Sequence, residues 1–174
     1  MKHTNKLIIA VIIVINLLLA NCGTSQSAIE KANKAQELNE LISNFDFKFS
    51  ATYAYPQRYS SIYLSPYYDV NVSSDTVTAY LPYYGRAYSA PMNPSEGGIK
   101  FESTNFEYDI EKGKKEGNWL VVIKTKDTSR PFTLNFNLWD NGTGRLEVHD
   151  RDRQSISFQG TIEERNIKKQ KKPN

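Results

Sequence analysis

Cysteine and histidine are nearly absent from this sequence: Cys22 stands alone, and His3 and His149 are the only histidines in 174 residues. Zinc and copper centres draw on several such side chains, so no metal site and no cofactor are expected. Without a second cysteine no intramolecular disulfide can form. Glycines with the spacing that cradles a phosphate are also missing, since Gly142 and Gly144 fall in a hairpin turn. A run long enough to span a membrane is lacking too. The longest apolar stretch, Leu7 to Ala20, has fourteen residues with only Asn16 polar among them. As a helix it would reach roughly 21 Å, short of a hydrocarbon core about 30 Å thick.

That stretch reads instead as the apolar region of a secretory signal. Lys2, His3 and Lys6 precede it, and Leu19-Ala20-Asn21-Cys22 closes it. The closing residues resemble the lipobox of bacterial lipoproteins, with Asn21 departing from the usual Gly, Ala or Ser before the cysteine. The resemblance implies cleavage before Cys22 and a multiply acylated cysteine carrying palmitate-type chains, and two or three such chains hold a protein at a membrane where one does not. It also accounts for an unpaired thiol in an oxidising compartment. The expected organisation is a signal peptide over 1–21, a lipidated tether over 22–26, a single β-rich domain over 27–165 and a basic disordered tail over 166–174. Gly23-Thr24-Ser25-Gln26 carries none of the acidic residues that tend to follow the cysteine of surface-exported lipoproteins. The expected location is therefore the cell envelope, facing the periplasm.

Removing 21 leader residues from 174 leaves 153, and removing two lysines leaves 20 basic against 19 acidic residues, a net charge of +1. Arg165, Lys168, Lys169, Lys171 and Lys172 crowd the end of the chain, so the body without them is net acidic. That argues against a nucleic-acid-binding surface. The length suits one domain with one core.

Periodicity assigns the elements. Ala28, Ala32, Ala35, Leu38 and Ile42 recur at helical spacing between Ser27 and Ser43, a thin stripe suited to packing on a sheet. Beyond Asn44 the period becomes two: Phe45, Phe47, Phe49, Ala51, Tyr53 and Tyr55 alternate with polar residues. Tyr68, Val70 and Val72 continue the pattern, then Val77, Ala79 and Leu81 across the turn Ser73-Ser74-Asp75. Phe106, Tyr108 and Ile110 face Trp119 to Ile123, and Phe132 to Leu138 face Leu146 and Val148 across Asp140-Asn141-Gly142, before Ile156, Phe158 and Ile162. No helical crossover separates these strands, so their neighbours are antiparallel. The expected fold is mainly β (α+β): one N-terminal helix, then a curved antiparallel sheet of eight to ten strands forming a flattened barrel or sandwich.

Ten of the eleven tyrosines lie between Tyr53 and Tyr88. Tyrosine combines a rigid ring with a polar tip and suits binding surfaces. Tyr83, Tyr84, Arg86 and Tyr88 are therefore the candidate binding surface, shaped by Pro82, Pro91 and Pro94. It requires at least two well-exposed rings. The plain alternative is that these tyrosines sit on strands and cover the core edge. The segments ATYAYP, SIYLSPYYDVNVSSDTVTAYLPYYGRAYSAP, GGIKF and RQSISFQG resemble the domain-of-unknown-function 4251 family of Bacteroidetes envelope lipoproteins, over about residues 30 to 163. The resemblance implies an envelope location and an uncharacterised role, with no active site to carry over. Asp75-Thr76-Val77 is similar to the O-glycosylation acceptor of these bacteria, which makes Thr76 a candidate modification site.

Catalytic constellations are poorly supported. His149 could in principle form a triad with a serine such as Ser155 and with Asp150, and nothing in the spacing favours this over a surface strand end. Asp150 and Asp152 could hold calcium, but Arg151 and Arg153 offer charge compensation in solvent as the simpler account. The expectation is a non-catalytic, lipid-anchored envelope module, joined to the membrane at Cys22, that binds a peptide, glycan or protein partner. The alternative is a hydrolase acting on cell-wall or dietary polymers through carboxylates that only the fold could bring together.

Overall fold

A computed structural model describes residues 24–88 and 97–165. Cys22 and the signal segment, Pro91, Pro94 and the tail from Asn166 lie outside the described residues. The chain divides into two units, residues 1–34 and 35–174. In the first, the described residues are the opening of helix α1 (Thr24–Ser43), which starts ahead of the expected Ser27 and takes in most of the expected tether. Ala28 and Ala32 of the predicted stripe are exposed. The second unit contains the end of α1, where Leu38 and Ile42 are buried, and every strand.

Phe45 was expected on a strand and instead ends the helix. Its amide donates to the Ile42 carbonyl at 3.0 Å and that of Asp46 to the Leu41 carbonyl at 2.9 Å. This is the paired-bond cap that usually places glycine in the left-handed conformation, and Phe45 adopts it with φ 55°. A bulky residue there carries about 1 to 2 kcal/mol of strain. Burial of the ring offsets it, since Phe45 stacks on Tyr108 at 4.1 Å and meets Phe47 edge-on at 6.3 Å.

The strands are β1 (Phe47–Tyr55), β2 (Ile62–Tyr63), β3 (Asp69–Val72), β4 (Val77–Leu81), β5 (Ile99–Ser103), β6 (Phe106–Lys112), β7 (Asn118–Thr125), β8 (Phe132–Trp139), β9 (Thr143–Asp150) and β10 (Arg153–Glu163). They form one ten-stranded sheet in the order β5-β4-β3-β1-β10-β9-β8-β7-β6, with β2 beside β1. All pairs are antiparallel. β5 and β6, at opposite ends of that order, are separated in sequence only by Thr104 and Asn105. The sheet must curl to bring its ends to one corner, and it is a nearly closed barrel. Phe47, Phe49, Phe136, Leu138, Leu146 and Phe158 fill its inside. Strand β10 crosses β1 where a Cβ on Gly160 would run into the Ser50 carbonyl oxygen, so only glycine admits this approach.

Alternation fails within β1, and the failure sets the surface. The β1–β10 register slips between Ala51 and Tyr53, leaving Thr52 as a bulge. One extra residue sends all later side chains to the opposite face. Ala54 is consequently buried, while Tyr53 and Tyr55, expected alongside Phe49, turn outward. The Tyr53 ring there meets the Tyr63 ring of β2 at 5.3 Å.

Candidate functional site

The tyrosine-rich segment after β4 is bound down along the start of β10. Tyr83 is half-buried, and its hydroxyl donates to the carbonyls of Arg86 at 2.9 Å and Gln154 at 3.0 Å. The Gln154 amide donates to the Arg86 carbonyl, and that of Tyr88 to the Asp152 carbonyl. The Tyr83 ring folds back over Gly85, where any Cβ would strike it, and burial pushes the pKa of its phenol up. Tyr84 is half-buried against the core. Of the three candidate rings, Tyr88 alone is well exposed, at 70%. Arg86 is exposed beside it. The two exposed rings that the candidate surface requires are not found here. The two tyrosines more exposed than Tyr88 lie elsewhere, Tyr67 at 76% and Tyr63 at 72%.

Arg153 anchors this segment to the barrel. Its guanidinium lies 5.0 Å from the centre of the Tyr83 ring, donates to the Gly98 carbonyl at 3.0 Å and stands 3.7 Å from Oδ2 of Asp150. Arg130 approaches the same oxygen at 3.8 Å. That oxygen is buried without a hydrogen bond, balanced by two positive charges at ion-pair distance. The charge compensation expected for the Asp150 and Asp152 pair is therefore real: Arg151 meets Asp152 at 3.1 Å from a side chain 77% exposed, whereas Arg153 compensates Asp150 from inside, with its side chain 3% exposed. His149 is exposed, with Nε2 3.5 Å from Glu147, while the Asp150 side chain is buried. Strand alternation separates these two, and Ser155 accepts instead from Gln57 at 2.8 Å, so no triad assembles. Thr76 lies half-exposed in the β3–β4 turn, its amide donating to the Ser73 hydroxyl.

A concavity lies between the outer side of β3 to β5 and the turn joining β7 to β8. It is an open groove of about 1060 Å³. Phe101 of β5 forms part of its lining, stacked on Phe132 at 4.7 Å. Tyr80 stands in its wall, engaged by the Tyr68 ring at 5.5 Å and by the Lys100 ammonium at 5.8 Å. The opposite wall is the turn Asp127 to Arg130. Asp127 accepts from the Ser103 hydroxyl and from the amides of Thr104 at 2.8 Å and Asn105 at 3.0 Å. The Ser103 bond first, then these amides, hold its carboxyl at about 2.

The family model described as "Domain of unknown function (DUF4251)" matches residues 29–162. The chain belongs to this family. A crystal structure of a DUF4251 family protein from Bacteroides eggerthii DSM 20697 is similar in fold, with a TM-score of 0.56 and 9% identity over 76% of this chain and 89% of that one. No curated protein matches the sequence. DUF4251 membership agrees with the resemblance read from the tyrosine-rich segment, and it carries no function.

The groove of this DUF4251 domain was not legible as a site. GGIKF was noticed only as a family-like segment, and Asp127 to Arg130 carries an ordinary turn composition. The two meet because the sheet curls. Among the described residues no group of three or more His, Cys, Asp or Glu side chains could hold a metal.

Proposed function

We propose that this chain is a lipid-anchored envelope protein, held at Cys22 and facing the periplasm, whose β-barrel is a non-catalytic binding module. The observation that carries this reading is the groove beside β5: an open channel with an aromatic floor and with Lys100 and Arg130 in its walls. Pockets that bind ligands combine such apolar surface with a few placed polar groups. The binding surface is thereby moved from Tyr83 and Tyr84, whose rings are packed, to the groove. Hydrolysis by a carboxyl pair needs a general acid whose pKa is raised, so that it stays protonated. The carboxyl groups that are shifted here, Asp75, Glu107, Asp127 and Glu163, all move down, each led by a hydrogen bond to a neighbouring hydroxyl or ammonium.

Four measurements test this reading and the Thr76 site. Cys22→Ala should release the protein from membranes in detergent partitioning, and protease added to intact cells should leave the wild type uncut. An unchanged membrane fraction in the variant would remove the anchor. The full chain should retain envelope-derived peptides or glycans without turning them over, and released glycan products would make it a hydrolase. Modification at Thr76 would appear as a mass shift that Thr76→Ala abolishes.

A further inference from the structure

We infer that the free edge of β5 is the reading element of the groove, and that its ligand is an extended peptide added to the sheet as a further strand. This rests on the groove being the binding site. β5 is the last strand of the sheet and, among the described residues, is paired on one side only, with β4 from Val77↔Ser103 to Leu81↔Ile99. A terminal strand presents a ladder of amide and carbonyl groups on its open side. Here that side faces the Asp127 to Arg130 turn across the groove.

The other terminal strand, β6, is protected in the usual way. Glu107, Asp109 and Glu111 project from it at alternate positions, all exposed, and deter pairing. β5 carries instead two exposed charges of opposite sign, Lys100 and Glu102, which a strand of complementary charge can meet.

The aromatic rings of the groove favour a peptide over a sugar. A sugar ring needs an open aromatic face to stack on. The Phe101 ring is stacked on Phe132, and the Tyr80 ring is engaged by Tyr68 and Lys100.

The side chains of β5 then define the ligand. Lys100 and Glu102 point outward, and Phe101, between them, turns toward the core side. Opposite charges across a strand pair stabilise it and like charges oppose it. An antiparallel ligand therefore presents a basic residue opposite Glu102, an apolar one over Phe101, and an acidic one opposite Lys100.

The test uses the full chain and the end-blocked peptide Thr-Thr-Lys-Val-Glu-Thr-Thr, with two versions N-methylated on alternate sets of amides. Strand addition predicts hydrogen-exchange protection of the amides between Ile99 and Ser103. It also predicts that one methylated version weakens by about tenfold while the other binds unchanged, because only one set of amides faces β5. Glu102→Lys should weaken the peptide, and glutamate in place of its lysine should restore binding. Loss with both methylated versions, or with neither, overturns strand addition, as does protection appearing only away from β5. Failure of the peptide while a soluble peptidoglycan oligosaccharide protects the groove overturns this inference and leaves the binding-module reading intact. Failure of both probes removes the two together.

Discussion

Asp127 accepts a hydrogen bond from the Ser103 hydroxyl and so ties the turn after β7 to the last residue of β5. The same carboxylate holds the amides of Thr104 and Asn105, the corner where the two ends of the sheet meet. It is the polar closure of the barrel, on a side chain that remains open to solvent. Its carboxyl ionises at about 2 in the folded chain against an ordinary value of 3.8. A depressed folded value contributes stability that is fully present above the unfolded value and is lost as pH falls through the folded one. The wild type should therefore lose an increment of stability between about pH 4 and pH 2, and Asp127→Asn should lack that increment. Urea midpoints of both proteins across the range check this, and parallel curves would remove the assignment.

Gly160 should not tolerate a methyl group. Alanine there meets the Ser50 carbonyl and the Phe49 ring, and overpacking of this kind costs about 1 to 3 kcal/mol. Gly97 has nothing within 4 Å of its would-be Cβ, so Gly97→Ala should fall within about 0.5 kcal/mol of wild type. Denaturant midpoints separate the two.

Phe45 inverts a familiar order of substitution. Both Phe45→Ala and Phe45→Gly lose the buried ring, which should cost several kcal/mol. Glycine alone relieves the positive φ of 55°, so Phe45→Gly should be more stable than Phe45→Ala by about 1 kcal/mol. Thermal unfolding of the pair decides it.

The tyrosine-rich segment should divide by role. Tyr83→Phe removes the hydroxyl that bonds the Arg86 and Gln154 carbonyls, at about 1 kcal/mol. Tyr88→Ala removes an exposed ring and should change stability by no more than about 0.5 kcal/mol. Equal losses at both positions would mean that Tyr88 also supports the fold.

Much of the strand pattern was legible because alternation over a half-buried sheet is a local property. Val70 and Val72, then Val77, Ala79 and Leu81, and Phe132, Leu134, Phe136 and Leu138 are buried as their spacing required. The turns at Ser73 to Asp75 and Asp140 to Gly142 fall between the strands they were read to join. The site was less legible. Tyr83 and Tyr84 were singled out for ring density, a signal that does not distinguish a ring held by Gln154 from one facing a ligand.

The sequence by itself determined the class of this protein: a helix, antiparallel strands with short connections, and an apolar periodicity sufficient for one core. It also carried the family, in the segment that gathers most of its tyrosines. Tertiary structure alone decided which face each tyrosine takes, because the bulge at Thr52 reverses the alternation of β1 and only the pairing with β10 reveals it. It alone brought Lys100 and Phe101 opposite Asp127 and Arg130. Residues that distant share a groove because a sheet whose first and last strands are consecutive in the chain has to curl, and where its ends meet is set by the sum of all its pairings.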